Sequence, residues 1–306
     1  MDKVSIIIPA HNESDSLEQL TSEIITEFDK SEFFNYYEII IINDGSTDES
    51  EKVGKLICEK YKFVNFINLK ENITKPYALE VGIEASVGKI IATIDADLQY
   101  APSDLIKMLR LLIEKKGDVV NGYREKRKDP FLIKFFSKIY NLVLVFLSGL
   151  KLKDFWCGIK VFKKNIFHLM DFSGLTRFVI FYSYKYNFKI LEVSVMHFDR
   201  KRGKTSYNFF NRIILALKDM FTLLTCIVLG KSKIYQIKQV ILVIYLVILI
   251  SIIFFKKLFD QVFFDVLITF LFFICLNFII GLYYNSKSKT NFESKNFIKS
   301  IFKSVK

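Results

Sequence analysis

Over its N-terminal part the chain alternates short, unbroken apolar runs with stretches in which apolar residues recur at helical spacing. The runs are Val4 to Ile8, Glu38 to Ile42, Phe63 to Leu69, Lys89 to Ile94 and Asp118 to Gly122. They are rich in β-branched residues, the composition of strands buried on both faces. Helices are predicted to begin at Asn12-Glu13-Ser14, with Ser14 or Asn12 as cap, and at about Glu49. Two more are predicted over Pro76 to Ala85 and from Pro102-Ser103-Asp104 onward. Pro9 closes the first strand, and Gly88 marks the break before the fourth. Strand and helix alternate at βαβ spacing, which predicts an α/β fold with a doubly wound, mostly parallel sheet.

After Arg124 the pattern changes. Phe131 to Leu150 is mostly apolar, punctuated by Lys134 and Lys138, and reads as a core helix or one lying against lipid. Thr205 to Gly230 carries Phe209, Phe210, Ile213, Ile214, Leu217 and Phe221 at helical spacing, with Arg212, Lys218 and Asp219 on the polar side. That is the pattern of an interfacial amphipathic helix. Val240 to Phe255 has no charge, and Val262 to Tyr284 has only Asp265. A bilayer core needs about 20 apolar residues. The second span meets that, and the first does if Tyr235 and Ile237 are counted. Lys231, Lys233 and Lys238 precede the pair. Lys287, Lys289, Lys295, Lys299 and Lys303 follow it, and both flanks out-charge the connector from Lys256 to Asp260. The expectation is a hairpin of two transmembrane helices with both termini cytoplasmic. The division expected is a catalytic domain over 1–204, amphipathic juxtamembrane helices over 205–233, the hairpin over 234–285 and a basic cytoplasmic tail over 286–306.

Composition supports this. Of 306 residues 51% are hydrophobic and 32 are Phe, and the mean hydropathy is +0.27, greasier than an ordinary soluble domain. With apolar segments flanked by Lys, the net charge of +12 points to an anionic lipid surface rather than nucleic acid. Cys58, Cys157, Cys226 and Cys275 form no Cys-x-x-Cys pair and read as reduced thiols. Val4 to Ile8 is too short for a signal-peptide core, so the N-terminal part is expected in the cytosol and the whole as an integral protein of the inner membrane.

The candidate chemistry lies where strands end, since ligands of open α/β sheets sit at the carboxyl ends of the strands. Four such loops stand out. They are Pro9-Ala10-His11-Asn12-Glu13, Asn43-Asp44-Gly45-Ser46, Asp95-Ala96-Asp97-Leu98-Gln99 and Gly122-Tyr123-Arg124. Asp95, Asp97 and Gln99 offer oxygen donors suited to Mg²⁺ or Mn²⁺ completed by substrate phosphates. An Asx turn ending the strand is the plain alternative. No Gly-x-Gly-x-x-Gly follows any strand, which argues against a dinucleotide site. Gly203-Lys204-Thr205 is not the end of a P-loop, because Phe198 stands where its first Gly would be.

These loops, together with Asp154-Phe155-Trp156-Cys157-Gly158-Ile159-Lys160 and Arg200 to Tyr207, resemble the inverting family 2 glycosyltransferases of the GT-A fold. The closest subgroup is that of the dolichyl- or polyprenyl-phosphate sugar transferases. The resemblance runs from Val4 to about Tyr207. It implies transfer of a sugar from a UDP- or GDP-linked donor to a polyprenyl phosphate at the membrane lipid. It implies Pro9, Glu13 and Asp44 at the nucleotide, Asp95, Asp97 and Gln99 at the metal, and Arg124, Lys134 and Ser137 at the acceptor phosphate. Arg200, Arg202 and Thr205 are implied in a loop that closes over the donor, and Asp95, Asp97, Arg124 and Arg200 as the catalytic set. Two departures are visible. Asn72-Ile73-Thr74-Lys75-Pro76 stands where the family has a Gly-containing stretch, and Lys134 stands where Arg is common. A polysaccharide synthase of the same fold would carry Gln-x-x-Arg-Trp, and the single tryptophan, Trp156, follows Phe155 instead. A non-enzymatic membrane scaffold would be expected to have lost Asp95, Asp97 or Gln99. The sugar, the nucleotide and the oligomeric state, homo-oligomer included, are left open.

Overall fold

The computed structural model describes residues 2–125, 138, 141–142, 144–145, 149–150, 152–170, 178–199 and 297–303. The expected amphipathic helices and membrane hairpin over 205–285 lie outside these, as do Lys134, Ser137, Arg200, Arg202 and Thr205. Among the described residues no helix is long and apolar enough to cross a membrane.

Each apolar run becomes a strand: β1 (Val4–Ala10), β2 (Tyr37–Asn43), β3 (Val64–Leu69), β4 (Ile90–Thr93) and β5 (Val119–Arg124). Each intervening amphipathic stretch becomes a helix: α1 (Ser14–Asp29), α2 (Ser50–Lys60), α3 (Lys75–Ala85) and α4 (Pro102–Glu114). Strand periodicity then sorts the side chains. Ile6, Ile8, Ile39 and Ile41 share one core with Leu17, Leu20, Ile24 and Phe28 of α1 and Leu105 and Leu109 of α4. Ile7 and Ile42 point the other way, against α3. Fully burying one such side chain contributes about 1.5–3 kcal/mol, and both faces of β1 and β2 are buried along their whole length.

Three strands join that the apolar pattern did not announce: β6 (Lys160–Lys163), β7 (Ile190–Val195) and β8 (Ile298–Lys303). A short helix, α5 (Val179–Lys185), precedes β7. The sheet has eight strands in the order β7-β5-β6-β4-β1-β2-β3-β8. It is mixed rather than wholly parallel. β6 runs antiparallel between β4 and β5, and β8 runs antiparallel to β3. Because Lys160 lies opposite Thr93, β6 starts at the carboxyl end of β4. The loop before β6 therefore shares an edge with the loops after β1, β2, β4 and β5.

Two local expectations change. β1 runs through Pro9 to Ala10. Its register with β4 stops at Ile7, so Pro9 lies on a flank with no β4 partner, where a missing N–H costs little. Helix α1 is capped by neither Ser14 nor Asn12. Ser14 is its first residue, and the Ser14 amide donates to Asp48 Oδ2 at 3.1 Å. Asp48 also accepts from the Ser50 amide at 3.0 Å, so one carboxylate serves the starts of α1 and α2. Burial works against its charge, but these hydrogen bonds prevail and hold its pKa below the usual carboxylate value.

Candidate active site

The loops at the carboxyl edge are stitched to one another in sequence. His11 Nδ1 lies 2.7 Å from the Asp44 main-chain oxygen. The Asn12 amide donates to Ser46 Oγ at 2.9 Å, and the Thr47 amide donates back to Asn12 Oδ1 at 2.8 Å. Asn12 adopts φ 57° to make this exchange, a region that Asn tolerates. Glu13 stands at the head of α1, where Ser16 Oγ donates to its side chain at 3.3 Å.

Asp44 follows β2 and is buried. Its Oδ1 accepts the Ile73 amide at 2.8 Å, tying the loop after β2 to the loop after β3. Burial raises the Asp44 pKa, with the Ile73 hydrogen bond and His11 opposing. Gly45 has φ 60°, and a Cβ there would meet Glu71 backbone at 2.3 Å. Only glycine lets these two loops touch. In the loop after β3 Thr74 takes φ 73° and ψ 149°, a conformation that glycine enters freely and a β-branched residue does not.

Thr74 leads directly into Lys75, whose Nζ bonds Asp95 Oδ1 in an ion pair. Asp95 follows β4. Asp97, two residues on, accepts the Gln99 amide at 3.2 Å, so the Asx turn is real and holds the loop. Gln99 Nε2 donates to the Phe198 oxygen at 3.3 Å, leaving the amide oxygen as that side chain's donor to a cation. Among the described residues no three His, Cys, Asp or Glu converge on one point. Two carboxylates and an amide oxygen still fit Mg²⁺ or Mn²⁺, which keep part of their shell for substrate phosphate and water. A cleft of about 400 Å³ opens beside this loop, lined by Gln19, Glu23, Leu98, Tyr100 and Phe198 among others. Asp95, Asp97 and Gln99 are not in its lining.

The loop before β6 completes the edge. A Cβ on Gly158 would lie 2.5 Å from Asp95 Oδ2, so that glycine admits the carboxylate. The Gly158 amide donates to the Tyr100 hydroxyl at 3.1 Å, and burial holds the Tyr100 phenol well above its ordinary pKa. Lys160 is buried, and its Nζ donates to the Cys157 carbonyl. Burial lowers the Lys160 pKa, while the neighbouring Asp154 and Asp95 favour its charge.

Arg124 differs most from expectation. It was expected as a cation open to a phosphate. Instead it forks onto Asp154, and the two side chains are only 11% and 5% exposed. Burial alone would lower its pKa; the hydrogen bonds to Asp154 outweigh that and raise it. The Asp154 main-chain oxygen also accepts Asn121 Nδ2 at 2.7 Å.

Residues 5–170 match the sequence model of Glycosyl transferase family 2. The chain belongs to that family. Among curated relatives of this family 2 glycosyltransferase is an undecaprenyl-phosphate 4-deoxy-4-formamido-L-arabinose transferase from Proteus mirabilis. It is 28% identical over 239 residues, covering 78% of this chain and 71% of the relative. The transferase of the same description from Klebsiella pneumoniae strain 342 is 30% identical over 230 residues, covering 74% and 67%. Among solved structures, glucosyl-3-phosphoglycerate synthase from Mycobacterium tuberculosis, with Mn²⁺, UDP and glucosyl-3-phosphoglycerate bound, has the same fold. Its TM-score is 0.57 at 15% identity, over 76% of this chain and 82% of that one. A mannosyltransferase from Pyrobaculum calidifontis, bound to GDP-Man and Mn²⁺, gives 0.50 at 17% over 78% and 79%.

For this family 2 enzyme the edge gathers Glu13, Asp44, Asp95, Asp97, Gln99 and Arg124, with Pro9 buried inside β1. Sequence reasoning passed over Lys75, Tyr100, Asp154 and Lys160 as site residues. Lys160 carried a usable signal, a lysine inside the apolar run Ile159 to Phe162. Lys75 carried none, because its partner lies across the sheet edge.

Proposed function

We propose that this glycosyltransferase moves a sugar from a UDP- or GDP-linked donor to polyprenyl phosphate, with inversion, at the cytoplasmic face of the inner membrane. The observation that carries the reading is the extent of the likeness. Relatives described as undecaprenyl-phosphate sugar transferases match about three quarters of this chain, well past the family domain. The hairpin over 234–285 and the amphipathic stretch over 205–233 would supply the membrane attachment.

Glu13 and Asp44, with Pro9 behind them, would hold the base and ribose. Asp95, Asp97 and the Gln99 amide oxygen would hold Mg²⁺ or Mn²⁺, whose charge stabilises a leaving diphosphate. Lys75 would share that work from the opposite side of Asp95. The acceptor phosphate has a second pKa of about 6, so it arrives as an anionic nucleophile and needs no strong base. One of its oxygens attacks the anomeric carbon as the bond to the donor diphosphate breaks. Two anions must be held together, which calls for cations. Lys134, Ser137, Arg200, Arg202 and Thr205 are the candidates for direct contact. Arg124, already held by Asp154, positions the loop before β6 rather than meeting the phosphate.

The test is a screen of nucleotide sugars with purified enzyme and undecaprenyl phosphate, read by the mass of the lipid product. A sugar-phosphate lipid formed from one donor supports the reading. Transfer to a glycan with none to the lipid would replace it with the synthase alternative.

A further inference from the structure

The loop after β3 joins two carboxylates of the candidate site. At one end the Ile73 amide donates to Asp44 Oδ1 at 2.8 Å. At the other, Lys75 Nζ pairs with Asp95 Oδ1. Between them the Thr74 amide donates to Asn72 Oδ1 at 3.0 Å, and the Thr74 oxygen accepts the Tyr77 and Ala78 amides, each at 3.1 Å. The backbone at Lys75 is thereby fixed, and its side chain, 47% exposed, is the part that can move. This placement costs stability twice. Thr74 holds φ 73°, a strained conformation for a β-branched residue. Lys75 opens α3, whose first turn has no acidic residue, so its charge meets the positive end of the helix dipole. An ion pair this open to solvent contributes little in return, and stability alone is a weak reason for a lysine here.

The pair also closes Asp95. A Cβ on Gly158 would lie 2.5 Å from Asp95 Oδ2, so the loop before β6 crowds that oxygen. Oδ1 is the oxygen with room for a cation, and Lys75 already holds it. Lys160, whose charge Asp95 also favours, is buried and donates to the Cys157 carbonyl. Of the two lysines, Lys75 is the one able to let go.

We infer that Lys75 is the resident counter-ion of Asp95, which gives way to the divalent metal and passes to the donor diphosphate. Resting on the metal and donor reading above, this adds a coupling between the two ligands. With neither bound, Lys75 neutralises Asp95 and competes with a metal for it. When the diphosphate is present, Lys75 has a second anion to pair with, and Asp95 is released. Each ligand removes an obstacle to the other, so each tightens the other by the same factor.

The experiment uses the full chain in detergent, as wild type, Lys75→Met and Lys75→Arg. Mn²⁺ binding is read from the paramagnetic resonance of the free ion, first with Mn²⁺ alone and then with UDP or GDP, against a protein-free control for the Mn²⁺–nucleotide complex. Nucleotide affinity is measured by calorimetry in the presence of Mn²⁺. Without nucleotide, Lys75→Met should bind Mn²⁺ about three- to tenfold more tightly than wild type, because a competing cation and its repulsion are gone. Its nucleotide affinity should fall about ten- to a hundredfold, the loss of one charge-assisted phosphate contact. The factor by which nucleotide tightens Mn²⁺ should shrink. Lys75→Arg should stay close to wild type on all three. A lysine that only supports the loop would lose both affinities together in Lys75→Met. Mn²⁺ binding that is unchanged or weaker in Lys75→Met without nucleotide would overturn the competition, and unchanged nucleotide affinity would overturn the transfer to the diphosphate. Wild type and variants that bind no Mn²⁺, with or without nucleotide, would overturn the metal reading itself and the competition with it.

Discussion

Arg124 and Asp154 meet in a two-point fork, Nε 2.6 Å from Oδ2 and a terminal guanidinium nitrogen 3.1 Å from Oδ1. The pair joins the end of β5 to the loop before β6, so it sets where Gly158 and Lys160 stand relative to Asp95. Removing one partner of such a pair leaves an uncompensated charge and costs about 3–5 kcal/mol. Asp154→Ala should therefore lower stability by about that much in a denaturant titration. The double variant Arg124→Met/Asp154→Leu should recover most of the loss. Full stability in Asp154→Ala would show that Arg124 does not depend on this partner.

Asp44 links pH to stability. Its folded pKa is raised above the unfolded value, so the folded state favours the neutral carboxyl. Below the unfolded pKa the group is neutral in both states and has no effect. As pH rises through the folded pKa, the cost of burying the charge appears. Asp44→Asn keeps an oxygen for the Ile73 amide and removes that charge. The variant should melt higher than wild type at pH 7, and the gap should close as pH falls below about 4. Its donor affinity, measured by calorimetry with UDP and GDP, should drop.

Thr74→Gly should raise the melting temperature. The Thr74 backbone stores about 1–3 kcal/mol of strain, while glycine adds about 0.5–1 kcal/mol of entropy cost. The net gain of about 1 kcal/mol corresponds to roughly 2–4 °C in a domain of 150–250 residues. A variant that melts lower would mean that the threonine side chain stabilises the loop in some other way.

Asp97→Asn should keep the fold and lose turnover. The readout that isolates the metal is the rise in melting temperature that Mn²⁺ produces in the presence of nucleotide, since ligand binding stabilises by mass action. That rise should largely vanish in Asp97→Asn. If it persists unchanged, Asp97 serves the Asx turn alone.

The strands legible in the sequence were those whose apolar runs are buried on both faces, β1 to β5, and they place the candidate loops on one edge. What escaped was the return of the chain. β6 is a four-residue strand that starts with a buried lysine, Lys160, and β8 alternates half-buried and exposed positions. Neither shows the pattern of a buried parallel strand. For the same reason Asp154 was given no partner and Arg124 looked like an open cation, because their meeting depends on the antiparallel path of β6. Lys75 stood in a loop noted only for its missing glycine, and its pairing with Asp95 needs the strand order to be seen.

The partnership of β3 with β8 also sets a schedule. Leu69 and Ile298 pair across roughly 230 residues of chain. At the usual 5–20 residues per second, translation leaves the outer flank of β3 without its partner for on the order of tens of seconds. Throughout that interval Asn65 to Leu69 present an open row of backbone donors and acceptors, the feature that recruits foreign strands. The loops of the candidate site can be in place long before this flank closes. Guarding it until Phe302 arrives is a task for whatever accompanies the nascent chain.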